Sequence, residues 1–300
     1  MVPRKTLTAV GLVLAALGVA LVVFVASATP PKPSAGTSIV AGVTQWAALA
    51  SQVVGSDAKV ASLLSDPNAD PHSHEASTSD AAHVAQANVV IENGAGYDTW
   101  LTKLVQAASS SPKTIDVANL MNVKTGSNPH IFYDVAAAER LVRALRTTLS
   151  PPAKYPGVAA RSTALLAQLG ATQRSIAVLR ATCADVSVAA TEDVTGYLLN
   201  AIGVKVVTPE SLRLAIGNSV DPPVQGLALA LRQLRQHPAF LVNNVQTATP
   251  LTNEMVAQAR ASRVPVINVT ETMTGSNYVT WINGVVEKIR AVLEHQGCAK

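Results

Sequence analysis

The chain has 300 residues, of which 48% are apolar, 4% aromatic and 14% charged, and its formal charge is +4. That apolar content excludes an intrinsically disordered chain, and the length suffices for one large domain or two lobes of roughly 110 to 150 residues, each with its own core. With few aromatic residues the core must be built from Val, Ala, Leu and Ile, a composition suited to buried parallel strands covered by helices.

Met1-Val2-Pro3-Arg4-Lys5 precedes an uncharged, mostly apolar run from Leu7 to Ala26, and Ala26-Ser27-Ala28 then supplies a small-x-small site. This layout marks residues 1–28 as a signal peptide or an uncleaved N-terminal anchor, and places the rest of the chain outside the cytoplasm. Loss of that segment removes Arg4 and Lys5 but no acid, so the formal charge falls from +4 to +2. A near-neutral mature chain gives no support for nucleic-acid binding. Arg140, Arg143 and Arg146 share one helix face and are expected to be solvated. Residues 29–37 form a Pro-rich tether.

Strand-like and helical stretches then alternate. In residues 38–150, strands are expected over Ser38–Val43, Lys59–Leu64, Val89–Ile91 and Lys113–Val117. Helices are expected over Trp46–Val54, Ser77–Ala87, Trp100–Ala108 and Asp134–Leu149. Residues 151–182 contain one long helix, Val158–Leu179. Residues 183–300 resume the alternation, with strands at Val186–Ala190, Val204–Val207, Ala239–Val242 and Val264–Val269. Their helices are Val194–Ile202, Pro223–Gln236, Asn253–Arg260 and Tyr278–His295. The predicted fold class is therefore α/β: two Rossmann-like lobes with parallel sheets, bridged by one helix.

Ligands of parallel sheets bind beyond the carboxyl ends of the strands. Four conspicuous groups fall there: His72 in Asp70-Pro71-His72, His130 in Asn128-Pro129-His130, Glu192 after the strand Val186–Ala190, and Glu271 after Val264–Val269. Two imidazoles and two carboxylates suit Zn²⁺, Mn²⁺ or Fe²⁺, with the two negative charges offsetting the ion. Each glutamate could instead serve a helix N-terminus. His74 is expected to face solvent, and His83, His237 and His295 to lie on the surface. Cys183 and Cys298, the only cysteines, would pair in an oxidising compartment.

Together, Asp70-Pro71-His72, Ser79-Asp80, Glu92-Asn93-Gly94, Asn128-Pro129-His130 with Asp134, Thr191-Glu192 with Gly196-Tyr197-Leu198, and Val264-Pro265-Val266 leading to Thr270-Glu271-Thr272 resemble the metal-binding solute-binding proteins of bacterial ABC transporters. The resemblance runs from about Ser38 to Leu293. It implies a divalent ion held between the lobes by His72, His130, Glu192 and Glu271, with Glu92 as the alternative to Glu271. It also implies a non-enzymatic, monomeric protein that hands zinc or manganese, less readily iron, to a membrane permease with a cytoplasmic ATPase. A glutamate in place of a third histidine leans the site toward manganese or iron, whereas affinity order favours zinc. No cysteine ends the N-terminal apolar run, so a lipoprotein anchor is not expected. The long His- and acid-rich loop of many zinc members is also absent. Two competing readings use the same ligands, a secreted metalloenzyme and a surface adhesion protein with a structural metal. Neither a His-Glu-x-x-His helix nor a Gly-x-Ser-x-Gly elbow is present.

Overall fold

The structure, a computed structural model, describes residues 36–66, 74–218 and 220–298. It contains two four-stranded parallel sheets with the same strand order. In the first, β1 (Thr37–Ala41) lies between β2 (Ala58–Ser62) and β3 (Val89–Glu92), and β4 (Lys113–Asp116) pairs with the far side of β3. In the second, β5 (Ser187–Ala190) lies between β6 (Lys205–Val206) and β7 (Leu241–Asn244), and β8 (Val266–Val269) flanks β7. Central strands covered on both faces cannot alternate apolar and polar residues. Accordingly Val89, Val90 and Ile91 are all buried, and Ile39 pairs with both Val60 and Val89.

The helices of the first lobe are α1 (Thr44–Val54), α2 (Thr78–Gln86), α3 (Thr99–Ala107), α4 (Val117–Met121) and α5 (Val135–Thr148). A long helix, α6 (Val158–Cys183), separates them in sequence from α7 (Gly196–Ile202), α8 (Glu210–Gly217), α9 (Val224–Leu234), α10 (Pro250–Ala261) and α11 (Tyr278–His295). The α/β class, the parallel sheets and the long helix agree with expectation. The pattern missed α4 and α8. At α4 the expected strand ends early because Asp116 caps a helical turn, its carboxylate accepting Asn119 N–H at 3.0 Å. Helix α10 begins three residues before the expected start, because Thr249 and Thr252 form a reciprocal cap with Pro250 in the first turn.

Helix α6 buries Val158, Ser162, Leu165, Leu169, Thr172, Ile176, Leu179 and Cys183, a stripe at alternating spacings of four and three. Its two ends are fixed to different lobes by arginines that cap the C-termini of other helices. Arg161 donates from Nε to Val53 O at 2.8 Å and pairs with Asp57 beside the end of α1. Arg180 donates to Asn200 O at 3.0 Å at the end of α7. A Cys183–Cys298 disulfide joins the end of α6 to the segment after α11. One continuous apolar core runs through α1, α5, α6, α7 and α11, so the lobes share their packing. No helix among the described residues is long and apolar enough to cross a membrane.

Candidate metal centre

Three of the four expected ligands converge. His130, Glu192 and Glu271 each present a ligand atom within 4.8 Å of the others, and none is more than 3% exposed. His72 and the rest of Asp70-Pro71-His72 lie outside the described residues. Glu92 does not join the group. It lines a separate cavity with Asp116, Asn119 and Thr147, and burial followed by the charges of Asp98 and Asp116 pushes its carboxyl up to about 7.

His130 follows an irregular loop and precedes a 3-10 turn, Ile131–Tyr133. Asn128 fixes its ring. The Asn128 Oδ1 accepts both the backbone N–H of His130 at 3.0 Å and its Nδ1 at 2.8 Å, while Asn128 Nδ2 donates to Asp193 O at 2.8 Å. With the amide so oriented, Nδ1 carries the proton and the Nε2 lone pair points into the site. Nε2 stands 3.2 Å from Glu271 Oε2. Asn93 supports the same loop through Nδ2, which donates to Pro129 O at 2.8 Å, and its Oδ1 accepts the Trp46 indole N–H at 3.1 Å.

Glu192 and Glu271 follow β5 and β8, but neither is a helix cap. Helix α7 begins four residues after Glu192, and α11 is capped by Asn277. Their side chains are buried together instead, and one residue holds both. Asn244, at the end of β7, donates from Nδ2 to Glu192 Oε1 at 2.6 Å and to Glu271 Oε1 at 2.8 Å. Thr247 also donates to Glu192 Oε1, and Tyr97 donates to Glu271 Oε2 at 2.9 Å. Gln246 Oε1 accepts the backbone N–H of Glu271 at 2.6 Å, and Gln45 donates to the Glu271 carbonyl. Burial, then the neighbouring Glu271 charge, raises the Glu192 carboxyl above its ordinary range. Glu192 Oε2 is buried with no hydrogen-bond partner among the described residues.

Sequence reasoning missed Tyr97, Asn244 and Thr247. Asn244 carried a usable signal, since an asparagine ending an apolar strand sits where parallel sheets bind ligands, and β5 and β7 flank the point where the strand order reverses. The Glu92-Asn93-Gly94 motif acts by placement. Asp98 accepts the backbone N–H groups of Asn93 at 2.6 Å and Gly94 at 2.9 Å, which closes the turn that carries Tyr97. His74, expected in solvent, is largely covered: its ring lies 4.4 Å from that of Trp100 and its Nε2 3.3 Å from Asp80 Oδ2. The capping of α2 by Ser77 and Asp80 draws it down onto the surface. His83, His237 and His295 are exposed as expected, as are Arg140, Arg143 and Arg146.

A cavity of about 270 Å³ opens beside the centre, between Tyr97, Asn128 and His130 on one side and Asp193, Arg213 and Gly217 on the other. Two α/β lobes, a single bridging helix and a buried histidine-carboxylate cluster between them define a two-lobed solute-binding protein. The family described as ZnuA, zinc-uptake complex component A, periplasmic, matches residues 39–292, and the chain belongs to that family. Its fold is similar to that of the solute-binding protein FpvC from Pseudomonas aeruginosa in complex with Mn²⁺, at 19% identity and a TM-score of 0.68, covering 87% of this chain and 99% of that one. It is also similar to the periplasmic zinc-binding protein TroA from Treponema pallidum, at 17% identity and a TM-score of 0.69, covering 86% and 99%. A Thermotoga maritima protein described as a candidate metal binder is 31% identical over 101 residues, which span 33% of this chain and 35% of that protein.

Proposed function

We propose that this chain captures a divalent transition-metal ion outside the cytoplasmic membrane and delivers it to an ABC permease driven by a cytoplasmic ATPase. The ion is cargo, held by His130, Glu192, Glu271 and, from outside the described residues, His72. Family membership supports this reading, and one observation carries it. The Nε2 lone pair of His130 faces Glu271 Oε2 across 3.2 Å, with Glu192 close by and all three side chains buried. Two acceptors at that separation require a cation or a proton between them. For a tetrahedral zinc with bonds of about 2.0 Å, adjacent ligand atoms stand about 3.3 Å apart, close to this spacing. Zinc and manganese are the leading ions, and iron follows. The protein acts as a monomer, with residues 1–28 serving as the export signal or a retained anchor.

The test is calorimetric titration of the metal-stripped protein with zinc and with manganese. One-to-one binding tighter than micromolar is expected, weakened at least 100-fold in His130→Ala and in His72→Ala. Absence of such binding for both ions would refute the proposal.

A further inference from the structure

We propose that Tyr133 and Gln45 are positioning residues that fasten Glu271, a second-lobe residue by sequence, to the first lobe. His130 and Glu271 then remain a pair when the lobes part, and Glu192 is the ligand that opening withdraws. The inference rests on the metal-binding reading above and concerns how that site comes apart.

Glu271 lies in residues 270–273, between β8 and α11, and first-lobe side chains grip that segment at successive positions. Tyr133 donates to Thr270 O at 2.7 Å. Gln45, in the first turn of α1, donates from Nε2 to Glu271 O. Thr44 orients that amide: its hydroxyl donates to Gln45 Oε1 at 3.2 Å and accepts the Met273 N–H at 3.0 Å. Tyr97 donates to the Glu271 carboxylate itself, at the oxygen that faces His130. Gln45 and Tyr133 are both 0% exposed, so these bonds form away from water, where leaving either carbonyl unpaired is costly. The chain stays on the first lobe as it enters α11. There the Tyr278 N–H donates to Gln52 Oε1 at 3.2 Å and the Tyr278 hydroxyl to Phe132 O at 2.9 Å, with Trp46 stacked on the ring.

Within its own lobe, Glu271 is held by Gln246 and Asn244. Gln246 Oε1 accepts the N–H groups of Glu271 at 2.6 Å and Thr272 at 2.9 Å, and Asn244 donates to Glu271 Oε1 at 2.8 Å. Glu192 is placed differently. Its carboxylate accepts from Asn244 and Thr247, both of the second lobe. Its segment meets the first lobe beside the cavity, where Asn128 Nδ2 donates to Asp193 O and the Tyr197 hydroxyl to Asn128 O, both at 2.8 Å. Those bonds run through Asn128, which is only half-buried. A rotation that opens the cavity therefore has its axis near residues 270–273, where the chain crosses from β8 to α11. Atoms near an axis move least, so Glu271 keeps its place beside His130 while Glu192 draws away with β5.

Amide exchange followed by NMR, on zinc-loaded and metal-free wild type, reads which lobe the segment follows. The N–H groups of Met273 and Tyr278 bond to first-lobe side chains, whereas those of Glu271 and Thr272 bond to Gln246. Removing zinc should speed exchange at Met273 and Tyr278 by no more than about threefold. Acceleration at Met273 by about tenfold or more, with Glu271 and Thr272 still slow, would assign the segment to the second lobe and overturn the inference. A double-mutant cycle then isolates the positioning role. Tyr133→Phe and Gln45→Met should each weaken zinc binding about three- to tenfold, the effect of one hydrogen bond. In a Glu271→Ala background both losses should vanish, because they act through that residue. Equal losses in the two backgrounds would mean a general structural role and would also overturn the inference. If a variant does not fold, or Glu271→Ala binds no zinc, the exchange result on wild type decides alone. Failure of wild type to bind zinc or manganese is a different result, since it removes the metal-binding reading itself.

Discussion

Replacing Asn128 tests how the first lobe aims its histidine. In Asn128→Ala the His130 ring loses the acceptor that keeps the proton on Nδ1, and the residue after Glu192 loses the bond from Asn128 Nδ2 to Asp193 O. A neutral imidazole free to choose its tautomer favours the Nε2–H form and offers the Nε2 lone pair less than half the time, which costs at least about 0.4 kcal/mol of affinity. The lost interlobe hydrogen bond adds about 1 kcal/mol, and rotation of an unheld ring adds a similar amount. The total lies within the 10- to 100-fold loss of metal affinity usual when the partner of a ligand is removed. Asn128→Asp separates the two roles, since an aspartate oxygen still accepts from Nδ1, whereas its other oxygen meets the Asp193 carbonyl where a donor stood. That variant should bind zinc more tightly than Asn128→Ala yet melt no higher in the metal-free state. Calorimetry with a competing chelator and thermal denaturation supply both readings. Zinc affinity of Asn128→Ala within threefold of wild type would show that Asn128 does not set the His130 ring for binding.

Two further predictions concern stability. The Glu92 carboxyl is raised to about 7 by burial and by Asp98 and Asp116, so between pH 4.5 and 7 the folded chain keeps a proton that the unfolded chain releases. Stability should therefore decline as pH rises through that window, and Glu92→Gln should melt higher than wild type at pH 8, by roughly 1 to 2 kcal/mol after allowance for solvent screening, but not at pH 4.5. Melting curves whose difference does not vary with pH would contradict this. The Cys183–Cys298 bridge spans 115 residues of sequence, and closing so long a loop restricts the unfolded chain by roughly 3 to 5 kcal/mol. A reductant should lower the melting temperature of wild type to that of the double serine variant, and equal melting of wild type with and without reductant would rule the effect out.

The fold was legible because its signals are periodic and local. Buried central strands such as Val89–Glu92 read as continuous apolar runs, and the α6 stripe repeats along 26 residues. The short helices α4 and α8 were not, since five and eight residues give too little periodicity and their starts depend on single caps or on tertiary packing. At the site, His130, Glu192 and Glu271 could be proposed from strand ends because ligands must be imidazoles or carboxylates. Their supports could not be ranked in the same way. Asn244, Thr247 and Tyr97 are ordinary polar residues, and only the chain's folding brings Asn244 between carboxylates 52 and 27 positions away. Glu92 misled for the converse reason: it has ligand chemistry at a strand end, but β3 turns it toward Asp116 and α5.

The same geometry constrains how an ion can leave. Release requires the lobes to part, and a long helix bridging them keeps that movement small. On the α1 and α11 side the lobes are joined by aromatic packing: Trp46 stacks on Tyr278 at 6.4 Å, both buried, and Tyr133 lies 4.8 Å from the half-buried Trp281. Tyr278 donates to Phe132 O at 2.9 Å and Tyr133 to Thr270 O at 2.7 Å, so the same rings also lock polar groups across the lobes. Exposing each such side chain costs about 1.5 to 3 kcal/mol, and α6 is pinned to both lobes by Arg161 and Arg180. Beside the cavity, by contrast, the crossing is polar: Asn128 to Asp193 O and Tyr197 to Asn128 O, both at 2.8 Å, each worth about 0.5 to 1.5 kcal/mol. Opening there is the less costly motion. It also breaks the bond from Asn128 Nδ2 to Asp193 O that orients the amide holding the His130 ring, so loosening the lobes and loosening the ligand are coupled, and a rigid bridging helix is compatible with release.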